Sequence, residues 1–156
     1  MIEQLNNEAE IFRTPCGDGH LVWRKWGAGA PVVLCHGGSG SWMHWIKTIP
    51  VLARRYEVWA PDLPGLGDSA MPPPPFTPAS SAEVLAAGIR TLISEERPIH
   101  LVGFSFGSHV ATLAAANLGS RLADLTIIGS AALGLPFPTL QFPKERSNMT
   151  HTERRE

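Results

Sequence analysis

The sequence predicts an α/β fold in which helices flank a mostly parallel β-sheet. Two observations predict it: short apolar runs of strand length recur along the chain, and segments with helical features separate them. The composition agrees, since 44% of the 156 residues are hydrophobic and 17% are charged, which is the balance of a globular protein with a buried core. We therefore expect one α/β domain rather than a disordered chain or a helical bundle.

The first predicted element is an N-terminal β-hairpin. Residues 9–14 and 20–26 alternate polar and apolar side chains on either side of the turn Cys16-Gly17-Asp18-Gly19. Alternation with a period of two is typical of strands that bury one face, and a glycine-rich turn joins such strands in antiparallel pairs.

Four continuous apolar runs follow the hairpin, as expected of strands buried on both faces of a sheet. They cover residues 31–35, 56–60, 99–103 and 125–129. Strands that alternate with helices are joined by right-handed crossovers and lie parallel. Ligands bind such sheets at the carboxyl ends of the strands, so we look for the site there.

Three segments between the runs are predicted to be helical, namely residues 42–54, 78–95 and 106–118. The second begins with Thr77-Pro78, a capping residue followed by proline at the first helical position, and it ends before Pro98. The third is rich in alanine and meets Gly119, which is typical of a helix end.

Two segments have little regular structure. Residues 71–76 contain four consecutive prolines, and we interpret them as a stiff surface loop; the alternative is a polyproline ligand for another protein. After residue 134, Pro136, Pro138 and Pro143 interrupt any helix or strand, and the remaining residues are polar and charged. We predict a core over residues 1–134 and a polar tail over residues 135–156.

Charge and cysteine usage limit the function classes. A formal net charge of −1 gives no positive field, so neither nucleic acid nor an anionic membrane is expected as a partner. Cys16 and Cys35 lack C-x-x-C spacing and are interpreted as reduced thiols. The N-terminus has no basic start followed by an apolar run, and no apolar stretch approaches a membrane span. We expect a cytoplasmic protein with a small-molecule substrate and no metal or cofactor.

The strongest chemical signal is Gly103-Phe104-Ser105-Phe106-Gly107, which follows a predicted strand and precedes a predicted helix. That context is typical of a nucleophile elbow, whose turn leaves no room for side chains two residues before and after the serine. The serine hydroxyl then lies at a helix N-terminus, which favours negative charge. The alternative is a glycine-flanked serine in an ordinary loop.

A second motif, Cys35-His36-Gly37-Gly38-Ser39-Gly40, follows the first buried strand. One N–H from this loop, that of Gly38, could form an oxyanion hole together with the N–H of Phe106. The alternative, a phosphate-binding loop, is disfavoured because neither G-x-x-x-x-G-K-[ST] nor G-x-G-x-x-G is present.

Three motifs in order, residues 36–42, 62–69 and 103–107, resemble the α/β-hydrolase superfamily. Within it the chain is similar to esterases, meta-cleavage-product hydrolases and cofactor-free haloperoxidase-like enzymes, from about Ile11 to Gly134. The resemblance implies that Ser105 is the nucleophile and that Gly38 and Phe106 form the oxyanion hole. It also implies that His36 organises its loop and that Asp62 ties down its turn. Epoxide hydrolases and haloalkane dehalogenases of the superfamily carry aspartate at the nucleophile position, so a serine implies an acyl-enzyme.

The resemblance does not extend to a complete catalytic triad of serine, acid and histidine. The family places the acid and the histidine after later strands than the nucleophile. Asp124 is expected to precede its strand at the far end of the sheet, and His109 is expected to point away from Ser105. The other candidates lie in the polar tail: Glu145, His151, Glu153 and Glu156. The chain therefore resembles an N-terminal portion of a hydrolase that lacks the last strands, the acid and the base, with residues 135–156 at the start of the lid region.

This interpretation is compatible with two alternative functions. The first is a serine hydrolase that acts on a small ester or a C–C ketone substrate. The alternative is a catalytically inactive remnant or binding module with the same fold. Loss of the final strands would leave one sheet edge exposed, so self-association through that edge is also expected.

Two further sets of ring side chains, histidines and tryptophans, have predicted positions. His20, His44 and His100 show no metal-ligand spacing and are expected at edges or in solvent. Trp42 and Trp45 are expected to pack in the core, with the floor of a substrate pocket as the alternative.

Overall fold

The computed structural model describes residues 1–129. Its helices and strands are, in chain order, α1 (Ile2–Asn7), β1 (Glu10–Cys16), β2 (Gly19–Trp26), β3 (Ala30–Cys35), α2 (Ile49–Leu52), β4 (Tyr56–Pro61), α3 (Pro78–Leu92), β5 (Ile99–Phe104), α4 (Phe106–Leu118) and β6 (Leu122–Ile128). Two short 3-10 helices, Trp42–Trp45 and Gly119–Arg121, complete the described elements.

The six strands form one sheet in the order β1-β2-β4-β3-β5-β6. Strands β3, β4, β5 and β6 run parallel to one another, whereas β2 is antiparallel to β4 and β1 is antiparallel to β2. The predicted mostly parallel sheet and N-terminal hairpin are confirmed.

Both faces of the sheet are covered, as the continuous apolar runs predict. Val33 and Cys35 of β3 pack in a cluster with α3 and α4, whereas Val32 and Leu34 pack on the opposite face with α1 and the segment around Trp42. Alternate residues of one strand are thus buried on opposite faces, which is why the run has no polar positions.

The predicted helix over residues 42–54 is wrong. The segment forms a 3-10 helix, Trp42–Trp45, and the single turn α2. Pro50 explains the break, because it has no N–H to donate to the carbonyl of Ile46 and its ring would clash with that carbonyl.

The other two predicted helices are confirmed, with one change of boundary. Helix α3 begins at Pro78, and a capping box joins Thr77 and Ser80; the helix ends at Leu92, three residues before the predicted end, because Ile93 is extended. Helix α4 covers the predicted residues and ends at Gly119, whose φ of 55° suits glycine.

Two further differences lie at strand and chain ends. Helix α1 was not predicted; it is fixed by the Trp26 indole, whose Nε1 donates to the Leu5 carbonyl at 2.8 Å. Strand β6 begins at Leu122, so Asp124 lies within the strand and does not precede it. Asp124 interrupts the apolar residues of β6, so the apolar run that predicts this strand begins only at Leu125.

Part of the predicted organisation falls outside the described residues. The end of the predicted core, residues 130–134, and the predicted polar tail, residues 135–156, are not described, so this division stays a prediction. Within residues 1–129, β6 forms one edge of the sheet, and self-association through that edge also stays a prediction. No helix among these residues is long and apolar enough to cross a membrane.

Candidate active site

Three loops meet at the carboxyl end of the parallel strands, because β3, β4 and β5 are neighbours in the sheet. They follow Cys35, Pro61 and Phe104. The loop after β3 and the start of α4 are in direct contact, since a Cβ built on Gly38 lies 3.5 Å from the Cβ of Phe106. The structure therefore brings together the segments that carry Ser105, Gly38 and Phe106.

Ser105 connects β5 to α4 in a strained conformation. Its φ is 52° and its ψ is −117°, a combination that costs a residue other than glycine about 1–3 kcal/mol. Its N–H donates to the Ile128 carbonyl at 2.9 Å, and its carbonyl accepts from the Ser108 N–H at 3.0 Å. Its half-buried hydroxyl makes no hydrogen bond with residues 1–129, so the backbone is fixed while the hydroxyl remains free.

The two flanking glycines are required by lack of space. A Cβ on Gly107 would overlap the carbonyl oxygens of Cys35 and His36, and a Cβ on Gly103 would lie 2.5 Å from the Cα of Ser108. Neither glycine has a positive φ, so the requirement is close backbone approach and not a left-handed conformation. The expected reason for glycine at these positions is confirmed.

The N–H groups of Gly38 and Phe106 are available for a ligand. Within the described part of the chain neither donates a hydrogen bond. Phe106 is the first residue of the 13-residue helix α4, whose first N–H groups have no partners inside the helix and whose dipole favours negative charge. Donors without an acceptor among residues 1–129 are the kind of group that oxyanion stabilisation needs.

His36 organises the loop after β3. It is fully buried, its Nε2 accepts the Leu63 N–H at 2.8 Å, and its Nδ1–H donates to the Gly37 carbonyl at 2.8 Å. These two bonds assign a neutral ring protonated at Nδ1. Burial lowers the pKa of His36. The hydrogen bond to Gly37 and the charge of Asp62 raise that pKa but only partly offset the effect of burial. Since both nitrogens are occupied, His36 acts on the loop and not as a general base.

Asp62 ties down the turn after β4. Its Oδ1 accepts the Trp42 N–H at 2.7 Å, and its Oδ2 accepts from the Asp68 N–H and from Nη1 of Arg24, both at 3.1 Å. Arg24 in turn donates from Nη2 to Asp68 at 2.6 Å and from Nε to Asn6 at 2.9 Å. All these contacts are structural, as the interpretation of Asp62 predicts.

His44 lies closer to the site than the sequence indicates. It is exposed, as expected, but its Nδ1 accepts the Gly37 N–H at 3.2 Å and its ring lies 5.7 Å from that of Phe104. Gly40 leaves room for the ring, because a Cβ there would overlap it. That glycine is the only local signal for the contact, and it does not by itself point to a histidine four residues later.

The remaining aromatic and charged candidates lie in the core or at the far end. Trp42 and Trp45 are buried in the cluster on the α1 face, as predicted. His100 and Asp124 form a partly exposed pair at 2.6 Å, at the amino ends of β5 and β6. Ser105 follows the opposite end of β5, about 15 Å away at about 3.3 Å per residue. Asp124 therefore lies far from Ser105, as predicted.

The cysteines and possible metal ligands give no second chemical centre in residues 1–129. Cys16 and Cys35 are buried free thiols; burial raises the pKa of both, to about 12 for Cys35. No three histidine, cysteine, aspartate or glutamate side chains in this range are grouped to hold a metal ion. Glu145, His151, Glu153 and Glu156 lie outside the described residues.

Comparison with known proteins gives one consistent family. A family model described as alpha/beta hydrolase fold matches residues 30–151. The chain is 35% identical over 136 residues to a 2-hydroxy-6-oxo-2,4-heptadienoate hydrolase of Pseudomonas putida. That match covers 85% of this chain and 48% of the Pseudomonas protein. The chain is 34% identical over 114 residues to a pimeloyl-[acyl-carrier protein] methyl ester esterase of Vibrio campbellii, covering 72% of this chain and 41% of the esterase.

The solved structures include an epoxide hydrolase, CorEH without ligand, that superposes with a TM-score of 0.73 at 29% identity. The match covers 85% of this chain and 47% of that one. The chain thus spans less than half the length of each of these three proteins.

Proposed function

The chain belongs to the α/β-hydrolase fold family, and on that premise we propose that it carries the nucleophile of a serine hydrolase for a small ester or C–C ketone substrate. Relatives that include an esterase and a hydrolase of an oxo-dienoate support this choice of substrate classes. Ser105 is the nucleophile, and the N–H groups of Gly38 and Phe106 form the oxyanion hole.

The observation that carries the proposal is the strained backbone of Ser105. A serine with a φ of 52° is costly, and its hydroxyl makes no hydrogen bond within residues 1–129 that would repay the cost. In the proposed reaction Oγ attacks the carbonyl carbon and loses its proton to a base. The carbonyl oxygen becomes an oxyanion held by the two N–H groups, and its collapse expels the leaving group and forms an acyl-enzyme. Water then releases the acid.

The proposal takes the base and its acid from residues outside these 156. Among residues 1–129, His36 is occupied at both nitrogens and His100 lies at the opposite end of the sheet. Loss of the base costs a serine enzyme about 10⁶ in rate, and the oxyanion hole and binding alone leave about 10³–10⁴ over water. The 156-residue chain should therefore react slowly but selectively at Ser105.

Covalent labelling tests the proposal. A fluorophosphonate should modify Ser105 at least about tenfold faster than any other serine, as read by peptide mass spectrometry. Ser105→Ala should remove the adduct, whereas Ser120→Ala, which changes an exposed serine after α4, should leave it unchanged. Labelling spread evenly over the serines, or absent from a folded chain, would reject Ser105 as the nucleophile.

The second candidate is a binding module without catalysis. The incomplete set of catalytic groups in the described part of the chain favours it. Ligand binding at the candidate site with no adduct at Ser105 would select this candidate over the hydrolase.

A further inference from the structure

We propose that an apolar pocket between the proline-rich loop and the start of α4 binds the acyl group of the substrate. This inference rests on the proposed function, because it places the acyl group beside the oxyanion that Gly38 and Phe106 would hold. It gives the proline-rich segment, residues 71–76, a role that neither the fold nor the nucleophile motif assigns.

The position of the pocket supports an acyl site. Gly38 and Phe106 line one side, and Leu66, Met71 and Phe76 line the other. An acyl group stays bonded to the serine through both steps of the reaction, so it must lie beside the oxyanion hole throughout. A leaving group has to depart between the steps. Ser105 itself does not line the pocket, but Gly38 does, and so does Phe106, the residue that follows Ser105. The pocket therefore suits the part of the acyl group that extends beyond the carbonyl.

The chemistry and the size of the pocket define the ligand. No charged side chain lines it, and its volume is about 290 Å³. A cavity of about 150 Å³ holds benzene, so this one suits a phenyl-sized group with a short linker or an unbranched chain of similar size. Met71 is 53% exposed and Phe76 is 64% exposed, so both side chains are accessible to a ligand.

The loop that forms the outer wall is fixed in place. The Gly65 N–H donates to the Ala70 carbonyl at 2.8 Å, and the Ala70 N–H donates to the His20 carbonyl at 2.9 Å. At the other end of the loop, the Ser80 hydroxyl donates to the Pro75 carbonyl at 2.7 Å. These bonds and the consecutive prolines limit the motion of the wall, so the pocket binds without a large loss of entropy.

The larger cavities of the described chain do not compete for this role. One of about 560 Å³ lies beside α1 and α2, and another of about 540 Å³ lies beside the hairpin. A third, of about 590 Å³, lies between the hairpin turn and the proline-rich loop, and Met71 and Phe76 line it as well. None of the three is lined by Gly38 or Phe106, so a group bound there would not adjoin the proposed oxyanion hole.

A titration with hexanamide tests the pocket without requiring turnover. The chain has four methionines, Met1, Met43, Met71 and Met149, and labelling their methyl groups with carbon-13 gives four signals to follow by NMR. We expect the Met71 signal, assigned with Met71→Leu, to shift saturably while those of Met1 and Met43 stay in place. Leu66→Ala truncates a side chain that lines this pocket but not the 590 Å³ cavity that also contains Met71, and it should weaken binding about tenfold. The matched control is Val51→Ala, which truncates a residue 62% exposed on α2 and should leave the dissociation constant unchanged.

The outcomes separate this inference from the proposed function. An unmoved Met71 signal, equal shifts of all methionine signals or an equal loss of affinity in Val51→Ala would overturn the pocket. Failed labelling of Ser105 together with specific hexanamide binding would reject the nucleophile and leave a binding pocket. Labelling of Ser105 without hexanamide binding would reject the pocket and leave the hydrolase.

Discussion

The turn that follows β4 and the elbow that follows β5 lie at the same end of the sheet, but they differ in how far their polar groups are hydrogen-bonded within residues 1–129. Both carboxylate oxygens of Asp62 accept hydrogen bonds from the protein, and the residue is 1% exposed. Ser105 is half-buried, and within residues 1–129 its hydroxyl and the N–H groups of Gly38 and Phe106 make no hydrogen bond. Saturated polar groups hold a fold together, whereas free ones in a strained backbone are available for a ligand.

Removal of the Asp62 carboxylate should give the largest loss of stability. Asp62→Ala leaves Arg24, itself buried, without its buried partner and deprives Trp42 of its acceptor, so we expect a loss of about 3–5 kcal/mol in the free energy of unfolding. Asp62→Asn keeps an acceptor oxygen and should cost less. Denaturant titration measures both, and equal stability of Asp62→Ala and the parent chain would break the comparison, because the turn would then not be a scaffold.

A methyl group at Gly107 should have the next largest effect. Gly107→Ala places a Cβ against two backbone carbonyls that cannot move aside, so we expect a loss of about 3 kcal/mol. Gly38→Ala is the matched control, because its Cβ would lie at an ordinary contact distance of 3.5 Å from Phe106. If the two variants melt at the same temperature, close backbone approach is not what requires glycine at the elbow.

The pH dependence of stability should show the buried neutral His36. Its pKa in the folded chain is lowered from 6.5, so below that pH the unfolded chain binds a proton that the folded chain does not. The contribution of His36 is therefore complete above pH 6.5 and is lost as the pH falls, by at most about 1.4 kcal/mol per pH unit. His36→Gln should reduce that slope. An unchanged slope in denaturant titrations at several pH values would show that His36 is charged in the folded chain.

Truncation of His44 should give the smallest effect. His44→Ala removes the acceptor of the Gly37 N–H at an exposed position, so we expect less than about 1 kcal/mol of destabilisation and faster amide hydrogen exchange at Gly37. His44→Asn keeps an acceptor at the same position and should restore most of the protection. Equal exchange in all three proteins would mean that His44 does not hold the loop.

The features that the sequence predicts correctly depend on local physics. Apolar runs are visible without a structure, and the need for glycine at 103 and 107 follows from the narrow turn between β5 and α4. The predicted helix over residues 42–54 does not form as one helix because Pro50 has no N–H to donate within it. The predicted strand over residues 125–129 begins three residues too late because Asp124 separates Leu122 and Ala123 from the apolar run that follows.

The contacts that could not be predicted join residues far apart in the chain. Arg24 meets Asp68 across 44 positions and Asp62 across 38, and no local pattern marks any of them as partners. The acceptor role of His44 depends on how a loop folds back on itself. Local motifs are therefore enough to name Ser105, Gly38 and Phe106 as candidates, whereas they do not name the partners of Arg24 and His44.

The most direct test of the account is the difference in unfolding free energy between Ser105→Gly and Ser105→Ala. Glycine is ordinarily about 0.5–1 kcal/mol less stable than alanine, which is the order we expect for Ser120→Gly and Ser120→Ala. At Ser105 the φ of 52° should reverse that order, so that the glycine variant is more stable by about 1 kcal/mol. A glycine variant less stable than the alanine variant at Ser105 would mean that the elbow stores no strain, and would contradict the account.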